Sequence, residues 1–135
     1  MDDLEFKLGE LPIVDEGFYK FVVFVEEKKL SLYALVMDEE MTLQHEAIAD
    51  HYGLDPTKVY GGGFLYWVED TLTLKGYSTH FGSVPNEAAQ SLGEKVLEYL
   101  NEQDIPITQI ETKMGPLTKK TVHLWKDLGY PVGDL

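Results

Sequence analysis

The sequence predicts an α/β fold of the α+β sandwich kind: a mainly antiparallel or mixed sheet of about five to six strands flanked by helices. Three observations predict it. Two pairs of apolar, β-branched and aromatic runs are each joined by a short polar turn, which is the pattern of local antiparallel hairpins. Between and after them lie segments whose apolar residues recur at helical spacing, and such one-sided helices bury their stripes against a sheet. The 135 residues, 44% hydrophobic, are enough for one core and leave little room for a second. Residues 1–135 therefore read as a single domain, without an internal repeat or a linker-like stretch.

The elements follow in order. Phe18 to Val25 and Leu30 to Met37 form a strand hairpin around Glu26-Glu27-Lys28-Lys29. From Met41 to Tyr52 the period changes to helical: Thr42 suits the N-cap, and Leu43, Ala47, Ile48, His51 and Tyr52 fall opposite Glu46, Ala49 and Asp50, with Gly53 as the stop. Val59 to Val68 and Thr71 to Tyr77 make a second hairpin around Glu69-Asp70, the first strand apolar on both faces and the second alternating. Pro85 opens a helix whose buried stripe is Ala88, Ala89, Leu92, Val96, Tyr99 and Leu100, ending near Asn101. Ile105 to Thr112 reads as the last strand. Thr118 to Leu128 is a closing helix with Val122, Trp125 and Leu128 inward, Gly129 at its end and Pro131 beyond. The predicted order is ββαββαβα.

Composition narrows the function. A net charge of −13 repels duplex nucleic acid and anionic membrane surfaces, so neither is an expected partner. All eleven basic residues are lysine, which removes the bidentate guanidinium clamp for phosphate. The lack of cysteine removes disulfides, thiolate nucleophiles and thiolate-bound metals. No apolar run approaches the ~20 residues of a membrane span, and a cytoplasmic location is the simplest expectation.

The candidate chemistry lies in three places. His45 falls in the first helical turn, where the positive end of the helix dipole disfavours imidazolium, so the ring keeps a lone pair near neutral pH. On residue type alone, a capping or surface histidine is the commoner reading. His51 sits at the centre of the expected apolar stripe and reads as a core histidine satisfied by hydrogen bonds. The two are six residues apart, without the i, i+4 geometry of a helical metal pair, and no metal or cofactor is expected. Gly76-Tyr77-Ser78-Thr79-His80-Phe81-Gly82 lies between a strand and a helix. Its glycines allow successive amides to converge on an anion, and Ser78 adds a hydroxyl; a plain tight connection fits the same residues. Gly61-Gly62-Gly63 lacks a following Gly-Lys-Ser/Thr, so it is a bulge or a close backbone approach rather than a nucleotide loop. Lys20 stands alone in Phe18 to Phe24, where it either snorkels from an edge or faces a cleft.

Taken together, Glu16-Gly17-Phe18-Tyr19-Lys20-Phe21-Val22, His45-Glu46-Ala47-Ile48, Gly61-Gly62-Gly63, Lys75-Gly76-Tyr77-Ser78 and Phe81-Gly82 resemble, in order and spacing, the protein-histidine phosphatase (Janus/Ocnus) family. The likeness spans roughly residues 11 to 112, and residues 116–135 look like a helical addition. The resemblance implies a sheet flanked by helices and metal-independent removal of phosphate from phosphohistidine, on a phosphorylated protein or a small phosphorylated substrate. His45 matches the catalytic histidine, as base or as nucleophile. Ser78 and His80, with Thr79 between them, match the positions whose amides bind phosphate, and Lys20 matches a nearby lysine. Two positions where the family often carries arginine are Phe64 and, near its alignment, Met37. The competing expectation is a non-catalytic anion- or protein-binding module, engaging a partner through Phe64, Tyr66 and Trp67.

Overall fold

The structure is a computed structural model that describes residues 4–11, 17–37 and 44–130. β2 (Gly17–Glu26) and β3 (Lys29–Val36) pair antiparallel with Glu26 opposite Lys29. Their two turn residues, Glu27 and Lys28, have φ of 50° and 68°. Consecutive left-handed residues twist a two-residue turn in the sense the strands already follow. β4 (Val59–Val68) and β5 (Thr71–Gly76) form the second hairpin, with Val68 opposite Thr71. The hairpins join through β2 and β4, again antiparallel.

Two further strands complete a six-stranded sheet in the order β1-β3-β2-β4-β5-β6. β1 (Glu5–Glu10) lies parallel to β3, and β6 (Gln109–Met114) parallel to β5. The fold is thus α+β with a mixed sheet, antiparallel in the middle and parallel at both edges. β1 is an addition to the predicted order: the acidic start masks the alternation of Leu4, Phe6 and Leu8, which are partly buried against the core. β6 begins at Gln109 rather than Ile105. Pro106 has no amide to give a ladder, and the amides of Thr108 and Gln109 instead donate to the Asp70 carbonyl.

α1 (His45–Tyr52) covers one face of the sheet, and α2 (Asn86–Glu102) and α3 (Lys119–Asp127) the other. Tyr19, Phe21, Val23 and Val25 of β2 meet the α2 stripe of Ala88, Ala89, Leu92, Val96 and Leu100, while the alternate Val22 meets Ile48 and Ala49 of α1. Burial on both faces makes β2 a central strand. The real α1 stripe is His45, Ile48, Ala49 and Tyr52 at i, i+3, i+4, i+7. Ala49 is therefore buried, not outward, and His51 is exposed, its ring edge-on to Tyr52, rather than a core histidine. α1 begins at His45 after an extended Gln44; the proposed Thr42 cap lies outside the described residues, as does Pro131.

α3 starts after Thr118, whose hydroxyl oxygen caps it by accepting from the Thr121 amide at 3.2 Å, a cap the sequence reading did not assign. Trp125 is fully buried in the main core, and its Nε1–H donates to the Tyr60 carbonyl at 2.8 Å. Lys28 in the β2–β3 turn donates from Nζ to the Leu128 carbonyl, and its own carbonyl accepts the Glu5 amide. No helix among the described residues is long and apolar enough to cross a membrane.

Candidate functional site

The glycine run of β4 creates room for an imidazole. Gly61 has φ 133° at a register shift between β2 and β4, a conformation few side chains tolerate. A Cβ on Gly62 would stand 2.5 Å from the Phe21 carbonyl oxygen and 2.9 Å from Cδ2 of His45, and one on Gly63 2.6 Å from the Lys75 carbonyl. The His45 ring lies against the bare backbone, and its Nε2 meets the Gly63 carbonyl at 3.0 Å. Gly62→Ala is accordingly expected to cost about 1–3 kcal/mol by overpacking, read as a lower urea midpoint. An unchanged midpoint would show that the strand yields without harm.

That hydrogen bond fixes a tautomer. A carbonyl only accepts, so Nε2 must carry the proton and the neutral ring keeps its lone pair on Nδ1. Nδ1 has no hydrogen-bond partner among the described residues, and among them no buried side-chain nitrogen or oxygen is unpaired. Nδ1 is therefore not sealed from solvent, and His45 lines a cleft. The residue is only 5% exposed. Burial drives its pKa down from 6.5 to about 4, the bond to Gly63 opposes this, Lys20 lowers it further and Glu46 raises it. His45 at the first position of α1 also feels the positive helix end.

The cleft, of about 250 Å³, is walled by Lys20, Gln44, His45, Glu46, Phe64 and the chain around Gly76, Tyr77 and Thr79. Lys20 Nζ stands 5.4 Å from the centre of the Phe64 ring, which is edge-on to His45 at 5.9 Å. Lys20 thus faces the cleft rather than escaping from a sheet edge. Its cross-strand partner is Phe64, followed in the same row by Lys75.

The loop 78–82 is closed by two bonds, Ser78 amide to Gly82 carbonyl at 3.0 Å and Gly82 amide to Ser78 carbonyl at 2.8 Å. Ser78 is buried, and its Oγ accepts the Phe81 amide at 3.0 Å. Its amide and hydroxyl oxygen thus shape the loop. The amides of Thr79 and His80 donate to no protein acceptor among the described residues, which leaves two successive donors at the loop tip. The Gly82 carbonyl also accepts the Gly62 amide at 3.1 Å, tying this loop to the glycine strand.

Lys20, His45 and Thr79 are therefore brought together. Ser78 and His80 line a neighbouring depression of about 280 Å³ that shares Tyr77 and Thr79 with the cleft and is closed by Thr118, Lys120 and Thr121 of the α3 end. His80 is exposed, and its Nδ1 lies 4.0 Å from Glu46, a surface contact of little energy. No α2 residue walls the cleft; the helix start that does so is that of α1, through Gln44, His45 and Glu46. Gln44 was not anticipated, because locating it requires the helix start to be known to a residue. Trp67 is buried on the α2 side, with Nε1 donating to the Glu69 carbonyl. It is thus no part of an outward aromatic surface, whereas Phe64 and Tyr66 are. Among the described residues no group of three or more histidine or carboxylate side chains could hold a metal. The chain matches no protein-family model, and no curated protein matches it.

Proposed function

We propose that this chain is a phosphohistidine phosphatase-like hydrolase, acting without a metal on a phosphorylated histidine or small phosphoryl substrate. One observation carries the reading: a buried imidazole, held through Nε2 by the Gly63 carbonyl so that its lone pair is left on Nδ1, lines a cleft that Thr79 also lines. The Thr79 and His80 amides and the first-turn amides of α1 receive the phosphoryl oxygens, and Lys20 offsets their charge. His45 Nδ1 takes a proton from water as that water attacks phosphorus. The new P–O bond replaces the P–N bond, and the proton passes from His45 to the departing imidazole nitrogen, releasing inorganic phosphate and histidine and restoring neutral His45. A bound phosphate dianion favours imidazolium and raises the basicity of His45 within the complex. The same reading places the protein in the cytoplasm, with a phosphorylated protein as partner.

The testing measurement is the pH profile of phosphate release from a phosphohistidine peptide. kcat/KM reports the free protein, so its acid limb should lie near the depressed value of about 4 rather than at 6.5. A limb at 6.5, or no release from a folded protein, overturns the proposal. The second outcome favours a non-catalytic binding module. That alternative draws on Phe64, whose ring occupies the space between Lys20 and His45 where a guanidinium would grip phosphate.

A further inference from the structure

α1 packs on β2 and β3 and, through His45, against Gly62, Gly63 and Phe64 of β4, while α2 and α3 lie on the other side of the sheet. Among the described residues, no helix packs on the α1-side face of β5, β6 and the Tyr66 end of β4. Strand register places two rows of side chains there. One runs Lys20, Phe64, Lys75, Lys113, and the next runs Phe18, Tyr66, Thr73, Glu111. Phe18 is 47% exposed although it sits edge-on to Tyr66 at 4.0 Å, and Val68 beyond it is 54% exposed.

Among the described residues, the charge of this face is opposite to that of the molecule. Its rows carry three lysines against Glu111, with Glu46 at the rim of the adjoining cleft, in a chain of net charge −13. Lys113 pairs with Glu111 at 3.8 Å. Lys75 makes no ion pair among the described residues; its Nζ stands 4.6 Å from the Tyr66 ring centre. An ammonium held on an aromatic face still has N–H groups for a carboxylate. The row begins at Lys20 and Phe64, which also wall the cleft, so a chain lying on the face leads directly to His45.

We infer that this open sheet face docks an extended acidic segment of a partner protein, an apolar side chain seated on Phe18 and Tyr66 and a flanking carboxylate on Lys75. The inference rests on the proposed hydrolase reading and names its substrate class: phosphoproteins whose phosphorylated residue lies in an acidic, aromatic context. An acidic partner is favoured here because attraction is local while the rest of the surface repels it, which fixes where it lands.

Binding of a short unphosphorylated fluorescent peptide, aspartates flanking a phenylalanine, is compared with that of its lysine-flanked counterpart. The acidic peptide should bind, more weakly at high salt, and Phe18→Ala and Lys75→Glu should each weaken it by about fivefold or more. Equal binding of both peptides, no binding, or no effect of either variant overturns the inference. So does sedimentation showing a dimer that Phe18→Ala dissolves, because a second copy would then cover the face. Hydrolysis of an aryl phosphate, too small to reach the face, should be unchanged in both variants. If the acidic peptide binds as expected but wild-type protein releases no phosphate from any substrate, the docking face stands and the hydrolase reading falls.

Discussion

Replacing His45 with glutamine is expected to leave the protein folded and to reduce phosphate release from a phosphohistidine peptide by about 10²–10⁴-fold, the usual worth of a positioned general base. Glutamine is the informative substitution because its amide N–H can still donate to the Gly63 carbonyl that now accepts from Nε2, while its amide has no basic lone pair. His45→Ala should lose activity equally but also some stability, since it empties a buried space and leaves that carbonyl unpaired. Activity that survives in the glutamine protein would remove His45 from the chemistry. The same variant carries a pH signature. His45 titrates near 6.5 in the unfolded chain and near about 4 when folded, so between these values the unfolded chain binds more protons. Stability should therefore be level above pH 6.5 and fall as the pH drops towards about 4, by on the order of 3 kcal/mol. Urea denaturation at several pH values should show this component in the wild type and not in the glutamine variant.

Trp125→Ala is expected to be the most damaging core substitution, costing about 3–5 kcal/mol. The side chain is wholly buried, touches the rings of Tyr60 and Tyr130 edge-on, and satisfies the Tyr60 carbonyl. Trp125→Phe keeps most of the packing and abandons only the hydrogen bond, with an expected cost of about 1–3 kcal/mol. The effect should extend to the cleft. α3 presents Thr121 directly to Gly82, and Gly82 closes the loop that holds Thr79. Trp125→Ala protein held below its unfolding midpoint should thus show faster amide exchange in residues 78–82. Exchange confined to α3 would mean that the helix does not brace the loop.

The hairpins were legible because their determinants are local: an unbroken apolar run, two polar residues, another apolar run. The α2 stripe, and the inward stripe of α3 with its stop at Gly129, were legible for the same reason, since propensity, period and terminal residue agree. β1 was not, because a parallel edge strand is specified by a partner distant in sequence, and its alternation of Leu4, Phe6 and Leu8 with Glu5 and Lys7 is only a few residues long. At the site, His45, Lys20 and Thr79 were identified as residues but their mutual geometry was not. It depends on a register shift at Gly61 and on a helix start later than expected. The misplacement of His51 and Ala49 has one origin: a shift of the helical wheel by one residue turns each side chain by about 100°. Trp67 failed for the analogous reason in a strand, where neighbouring residues point to opposite faces.

The Lys28 turn joins parts of the chain that are far apart in sequence. Its carbonyl holds the first residue of β1 and its ammonium the carbonyl that follows α3, so the first strand and the last helix meet on one two-residue hinge of the central hairpin. Fraying of either should loosen the other, and the two should melt as one cooperative unit instead of as independent tails.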